Sequence, residues 1–474
     1  MKKAILFFMF FGVFNFLYAI NYTTTAASIS WNGAYTSAAD GFEAMLYNPA
    51  GLHLTNRRFG LNVFGSYGFR FYNNTLSTAH IIKMFQKSDG NISDIIAERI
   101  TGMSDMGLDT GFDISMLNFM LYVKYEKFSL GFSMIPKTYF TTSIGRTFFS
   151  SVFQKLDFSK PISIKITSSF TQYFDFNFIY STKFDFSKKT KKFDSIYFGV
   201  TGHFYLPTLL ADLNTEVKIK PGSPNANGIT TFDLQGNGSL MIGGLVPHIL
   251  NLANLNIPNI GLPNDNINKI IRLSETTGFG LGADVGLIFK FNKYIRLGIS
   301  ATDLGFMVIP KPVKANVNFS QNLDITNLSN FGKDFTDTLL SSLNNITVST
   351  TYAFMPAMAF RLGIAITPVY SDYFDMILAA DVSLADLHRT VNGEYPSFNV
   401  ATGIEFGPKI KWFKLPLRLA VNYNTQVNVA SFSFGTGLHL GPVEMEIGVK
   451  GLEILFSGWG AKEVIVGADF KFEF

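Results

Sequence analysis

The sequence predicts an all-β protein: a transmembrane antiparallel β-barrel of about fourteen strands, with an N-terminal hatch and partly helical external loops. Three observations carry this prediction. Apolar and polar residues alternate with period two over stretches of roughly ten residues, repeatedly along the chain. The chain is 47% hydrophobic and only 16% charged, and its 50 Phe residues include no apolar run long enough for a helix to cross a bilayer after the opening segment. Short and long connections between the alternating stretches follow one another in turn, as a barrel with tight turns at one end requires.

The opening "MKKAILFFMFFGVFNFLYA" places Lys2 and Lys3 before an apolar stretch that ends at Ala19, which reads as a signal peptide spanning 1–19. Residues 20–58 do not alternate. They are rich in small residues, and with Trp31, Phe42, Met45 and Leu46 they suit a compact plug folded inside the barrel. A barrel of this size is too wide for side chains alone to fill, so something must occupy its bore. The barrel itself is expected over 59–474, with strands near 59–72, 112–125, 127–140, 172–184, 193–206, 276–290 and 294–304. Further strands fall near 357–367, 374–385, 397–406, 416–424, 430–440, 442–450 and 463–474. In "YFDFNFIYSTKF", Phe174, Phe176, Phe178 and Tyr180 take one face while Asp175, Asn177 and Ser181 take the other. The last segment separates Val464, Val466, Phe470, Phe472 and Phe474 from Asp469, Lys471 and Glu473 in the same way. The largest external loops are expected near 73–111, 207–275 and 305–356. The alternating stretch 231–242 breaks the up-and-down count and is assigned to an external loop.

Asn48-Pro49-Ala50-Gly51-Leu52, directly before the first strand, resembles a motif of the FadL family of long-chain fatty-acid transporters and of related outer-membrane barrels. The resemblance implies a fourteen-stranded barrel whose lumen is blocked by an N-terminal hatch, with Asn48, Pro49, Ala50 and Gly51 in that hatch. It also implies passive uptake of hydrophobic, fatty-acid-like small molecules across a bacterial outer membrane. Phe470, Phe472 and Phe474 resemble the C-terminal signal read by barrel-assembly machinery, which would be a partner alongside outer-membrane lipid. "SATDLGFMVIPK" (Ser300–Lys311) is similar to a segment of uncharacterised relatives and carries no assigned role.

The expected external loops contain apolar positions that would form a capture surface for hydrophobic solutes: Leu245, Ile249, Leu252 and Leu255, then Phe331, Phe335 and Leu339 on one helical stripe. Several other signals fail. "GFGLG" (Gly278–Gly282) opens no helix and reads as strand, with Gly admitting neighbouring side chains or the plug. "DGNISD" begins like a calcium loop, but Asp94 and Ile100 stand where Gly and Glu are needed. The six His residues show no metal-ligand spacing, although His203 and His439 are expected to face the lumen. The formal charge of +4 argues for no nucleic acid, and the absence of Cys excludes disulfides and thiolate metal sites. The expected lumen charges are of mixed sign: Arg70, Lys124, Asp284, Arg296, Arg361, Asp381, Glu405, Arg418, Glu444, Glu446 and Lys450. Mixed signs give no case for an ion-selective pore. No cofactor and no enzymatic activity are expected. Two alternatives to a hydrophobic transporter stay open: a general diffusion porin, and a structural or secretion-associated barrel. The sequence leaves the oligomeric state undetermined.

Overall fold

The computed structural model describes residues 25–63, 66–73, 108–115, 118–145, 162–187, 194–221, 231–252, 273, 277–324, 343–385, 387, 396–425, 429–455 and 461–474. The leader, most of the expected loop 73–111 with the calcium-like "DGNISD", and the capture residues Leu255, Phe331, Phe335 and Leu339 lie outside the described residues. Two short helices, α1 (Ala26–Ser30) and α2 (Gly41–Tyr47), and a 3-10 turn over Pro49–His53 precede the sheet.

Fourteen antiparallel staves then close into a barrel. The first is β1 (Phe59–Val63) continued by β2 (Ser66–Asn73), and the second is β3 (Leu108–Ser115) continued by β4 (Phe119–Lys124). β5 (Phe128–Ile144), β6 (Ile162–Asp185) and β7 (Ser195–Pro221) follow; β8 (Thr231–Gly243) stands outside the ring, and β9 (Phe279–Lys290) and β10 (Ile295–Ile309) resume it. β11 (Val313–Asp324), β12 (Leu343–Val348) and β13 (Tyr352–Phe354) are again accessory, before β14 (Ala359–Tyr370), β15 (Phe374–Ala385) and β16 (Ser397–Ile410). After the two-residue β17 (Phe413–Lys414), the ring ends with β18 (Leu417–Asn424), β19 (Val429–Leu440), β20 (Val443–Lys450) and β21 (Glu463–Glu473). β21 pairs with both β1 and β2, in the register Leu61↔Phe472 and Phe69↔Val466, so the sheet meets its own first edge. The Phe474 carbonyl accepts from the Arg58 N–H at 2.6 Å and completes the seam. These fourteen staves coincide with the strands that the alternation predicts.

The outward face is apolar: Phe178, Leu281, Leu362, Leu419 and Ile447 are all exposed. The inward face is polar, with Arg70, Asp284, Arg361, Asp381, Glu405, Arg418, Glu444, Glu446 and Lys450 buried, as alternation requires of a sheet with hydrocarbon outside. At one end the connections are tight. Tyr125 donates to Phe128 and Ser371 to Phe374, and the two-residue turn Gly441-Pro442 puts Gly441 at φ 61°, a conformation that favours glycine. Tyr125, Tyr294, Tyr370, Tyr373 and Trp412 stand exposed around these turns, the position of an aromatic girdle. Among the described residues no helix is long and apolar enough to cross a membrane.

The opposite end departs from expectation. β6 has 24 residues and β7 has 27, about twice what a tilted strand needs to cross a bilayer. Beyond Leu209 the upper part of β7 pairs with β8, β8 pairs with β11, and β11 with β12. Much of the expected loop 207–275, including 231–242, and of 305–356 is therefore strand. Here the polarity inverts. Asn214, Glu216 and Lys218 of β7 are exposed, while Leu213, Val217, Leu234, Val317 and Phe319 form a buried apolar cluster with Ile346. A sheet in water hides its apolar face, and a sheet in lipid displays it. The switch along β7 thus marks where the membrane ends. The stretch 231–242 breaks the up-and-down count because it is a strand that pairs with β7 and β11 outside the ring.

Phe178→Arg, on the lipid face of β6, is expected to cost about 2–4 kcal/mol in reversible unfolding from lipid vesicles. Asn214→Arg, on the exposed face of the outer part of β7, is expected to stay within about 0.5 kcal/mol. Equal costs would contradict the boundary.

Candidate functional site

Residues 25–54 lie inside the bore, almost all buried, and make one circuit of its wall. The Ala26 N–H donates to Asp469 Oδ2 on β21 at 2.7 Å, and the Ser433 hydroxyl on β19 donates to the Ser30 carbonyl at 2.8 Å. Asn32 and Asn422 of β18 meet at 2.8 Å, and Trp31 packs on Gly403 of β16. The Tyr35 and Thr36 N–H groups both donate to Asp381 Oδ2 on β15, at 3.0 and 2.7 Å. The path then reaches β10, β9 and β7, the Ser181 hydroxyl on β6 donates to the Ala50 carbonyl, and His53 shares a hydrogen bond of 2.8 Å with Ser129 on β5. Burial first, and the Lys124 ammonium second, pull the His53 imidazole down to about 4, so it is neutral near pH 7. Between Thr36 and Asn48 the chain crosses the bore, where Phe42 of α2 packs edge-on against Tyr122 of β4.

The wall is carved for this segment. A Cβ at Gly435 would overlap the Ser30 hydroxyl, and one at Gly199 would overlap the Pro49 carbonyl carbon. Gly435, Gly448 and Gly467 are cross-strand neighbours on successive staves, as are Gly199 and Gly286, so the clearance forms continuous grooves. The glycines of "GFGLG" behave differently: Gly280 and Gly282 admit Met307 and Tyr205 from neighbouring staves, not the segment.

Each residue of the Asn48–Gly51 motif has a physical task. The Asn48 side chain caps the 3-10 turn by accepting from the Ala50 N–H at 3.2 Å. Its amide donates to the carbonyls of Thr36, Leu287 and Ile299 at 3.0, 3.3 and 3.4 Å, tying the segment to itself and to β9 and β10. Pro49 takes the first position of the turn, where its missing N–H costs nothing. Ala50 is fully buried against Tyr197 and Ile288. A Cβ at Gly51 would strike the Ala39 carbonyl oxygen.

Two ionic clusters stand beside the segment in the bore. On the β16–β21 side, Glu405 binds Lys414 and Arg418 at 2.7 Å each, Arg418 binds Glu446 at 2.9 Å, and Lys471 binds Glu43 of α2. His439 adds a contact of 2.9 Å to Glu446. Above the segment on the other side, Lys137 binds Asp175 at 2.9 Å and Asp303 at 3.3 Å, while His203 bridges Asp175 and Asp284 at 3.0 and 2.8 Å. Tyr139, Tyr173, Tyr205 and Met307 close over this second cluster. Asp303 sits at φ 55° beside a break in the β9–β10 register, within Ser300–Lys311. Asp175, His203 and Asp303, and likewise Glu43, Glu446 and Asp469, bring three potential ligand atoms within 4.8 Å. In each group a lysine ammonium, Lys137 or Lys471, already supplies the positive charge, so neither suits a metal ion.

The apolar side chains of the segment are concentrated elsewhere. Phe42, Met45 and Leu52 pack with Met120, Tyr122, Ile135 and Ile179 of β4, β5 and β6. The bore therefore has an ionic flank and an apolar flank.

The structure thus gathers Asn48, Pro49, Ala50 and Gly51 in the bore. It places Phe470 and Phe474 exposed on the outer face of the last stave, next to the seam with β1. Phe472 packs edge-on against Phe470. Leu245 is half-buried at the start of α3 (Leu245–Leu252), which also carries Ile249 and Leu252. His203 and His439 do face the lumen, but neither is an isolated polar liner. Sequence reasoning missed Lys137, Asp303, Lys414 and Glu43 as lumen charges. Lys137 and Asp303 lie on or next to the polar phase of predicted strands and could have been found there; Lys414 and Glu43 reach the bore from the two-residue β17 and a helix, too short or of the wrong period for alternation to flag them.

A family model described as "Family of unknown function (DUF5723)" matches residues 49–449. No curated protein matches the sequence. Among solved structures, the chain is similar to the monoaromatic hydrocarbon channel TodX of Pseudomonas putida in its deltaS2S3 mutant form, at 11% identity and a TM-score of 0.46, covering 96% of this chain and 99% of that one. The toluene transporter TbuX of Ralstonia pickettii is 10% identical with a TM-score of 0.41, over 98% of this chain and 100% of its own. A FadL homologue of Pseudomonas aeruginosa is 9% identical with a TM-score of 0.30, over 97% and 100%.

Gly199→Ala is expected to lower stability by about 1–3 kcal/mol, by pushing Pro49 off the wall. Gly202→Ala on the same strand, where a Cβ meets nothing within 4 Å, should stay within about 0.5 kcal/mol. Unfolding from vesicles, with protease nicking of residues 25–54 as a second readout, checks both.

Proposed function

The chain belongs to this family of unknown function, and from that premise we propose that it is a bacterial outer-membrane channel for passive passage of apolar, fatty-acid-like small molecules, with residues 25–54 as its hatch. The observation that carries the reading is the occupied bore: nearly every residue from Thr25 to Thr55 is buried against the wall. An occupied bore argues against a general diffusion porin, which needs a standing water path. Two further features favour apolar cargo. The outer sheet encloses the apolar cluster around Leu213, Val217, Leu234 and Phe319 at the end away from the tight turns. Below it, Met45, Leu52, Ile135 and Ile179 give the bore an apolar flank that water does not compete for. Passage needs no chemistry, only a shift of the segment along that flank. Capture by Leu245 and its neighbours on α3 belongs to the same proposal.

A second reading, a permanently closed scaffold or secretion-partner barrel, is favoured by the Lys471–Glu43 ion pair that fastens the segment to β21.

The absence of Cys makes a tether clean to build. In His53→Cys/Ser129→Cys, a disulfide would lock the end of the segment to β5, since these two side chains already face each other at 2.8 Å. In proteoliposomes, the reduced protein is expected to admit labelled fatty acid and not glucose, and the oxidised protein neither. Fatty-acid entry at the protein-free rate in both redox states would favour the scaffold. Glucose entry would favour the porin.

A further inference from the structure

Beneath the segment, at the tight-turn end, lies a cavity of about 370 Å³ that reaches the rim where Lys411 and Trp412 are exposed. Its inner end is formed by Trp31, stacked on Tyr35 at 5.8 Å between ring centres, and by Arg418. Two donors here have no acceptor among the described residues: the Trp31 indole Nε1–H and the Arg418 Nη1–H. Both residues are more than nine-tenths buried, at 1% and 4% exposure. The other guanidinium nitrogens of Arg418 are committed, Nε to Glu405 and Nη2 to Glu446, which holds the plane of the group fixed. A buried donor without an acceptor is costly, about 1–3 kcal/mol and more for a charged group. Neither donor can turn to solvent without breaking the stack or the ion pairs that hold it.

The carboxylates of the lining do not serve these donors. Glu405 is shared by Lys414 and Arg418. Glu446 gives Oε1 to Arg418 and His439, while its Oε2, 3.9 Å from Lys471, accepts no hydrogen bond among the described residues. Asp40, Glu43, Glu444 and Glu473 complete the acidic part of the lining, against Arg57, Lys409, Lys414 and Lys471. Lys411 and Arg296 also line the cavity and form no ion pair within 4.0 Å among the described residues. Two fixed buried donors, a flat aromatic roof and cations toward the mouth form a receptor for a small acceptor-only group.

We propose that this cavity is an oxyanion-binding site, taking a carboxylate or a phosphate between the Trp31 indole and the Arg418 guanidinium, with Lys411 at its entrance. The site stands on its own side chains and does not depend on what the barrel passes. Calorimetry on the full-length protein in detergent tests it, with benzoate and inorganic phosphate as probes and benzyl alcohol as the uncharged control. Saturable binding of either anion with no response to benzyl alcohol is the expected result. Benzoate alone identifies a carboxylate site, and phosphate alone a phosphate site. Trp31→Phe, which keeps the stack and removes the donor, is expected to weaken binding roughly tenfold or more. Lys411→Gln, on the exposed turn and outside the folded core, is expected to weaken it about threefold, with the loss shrinking at high salt. Absence of saturable binding by both anions, equal binding of benzyl alcohol, or anion binding unchanged in both variants would overturn the proposal. If Trp31→Phe fails to fold, Lys411→Gln decides alone.

Discussion

Hydrocarbon supplies no partner for a backbone N–H or C=O, and this constraint organises the molecule. A sheet placed in it can leave no edge, so the first stave must find the last. Here β21 is shared between β1 and β2, and the Phe474 and Phe59 backbones pair across the join. Near the other end of the seam a buried ion triad reinforces it: Arg70 on β2 and Lys450 on β20 both bind Glu463 on β21. Removing one member of such a buried set typically costs about 3–5 kcal/mol, because the remaining charges lose their compensation. Both backbone pairing and side-chain electrostatics therefore favour closure.

Closure creates a second problem. Alternation that sends apolar side chains to lipid sends polar ones inward, and fourteen staves enclose more space than those side chains fill. Without the segment, Asp381, Asp469, Asn422 and Ser433 would face water in an open bore. The N-terminal segment replaces that water with backbone groups. Its N–H groups serve Asp381 and Asp469, and its carbonyls serve Ser433, Asn422 and Ser181. Small residues on the segment and glycines on the wall let the two backbones approach closely enough for these bonds. The composition of 25–54 and the inward glycines of the strands are thus two halves of one adaptation.

Much of this was legible in the sequence. Period-two alternation located all fourteen staves because lipid imposes the same polarity on each. Small residues and the Asn48–Gly51 motif located the segment in the bore. The outer sheet was not legible as sheet for a different reason: strands such as Val313–Asp324 alternate just as the staves do, but period two does not say which solvent the apolar face meets, so extra strands outside the ring only upset the up-and-down count. Partners inside the bore were only half legible. Alternation names the inward residues, yet it cannot say that Lys137 reaches Asp303 from a strand four staves away, or that Glu43 arrives from a helix to meet Lys471. Those pairings depend on barrel curvature and on the circuit of the segment, which no local pattern encodes.

The two flanks of the bore hold the segment by forces with different tolerance for movement. On the β15–β21 side the contacts are directional: ion pairs, and hydrogen bonds from Ala26, Asn32 and Tyr35, whose strength falls steeply with distance and angle. A shift of an ångström there exposes buried charges to an incomplete partner set. On the β4–β6 side, Phe42, Met45 and Leu52 meet Met120, Ile135 and Ile179 through dispersion contacts, which are individually weak and re-form after a slide. Met45 adds three rotatable bonds that adapt to a changed neighbour. Any displacement of the segment therefore costs least when it pivots on the ionic flank and yields on the apolar one. Glu43, on the same helix as Phe42 and Met45, keeps one directional tie to Lys471, so a slide on the apolar side is bounded by that ion pair.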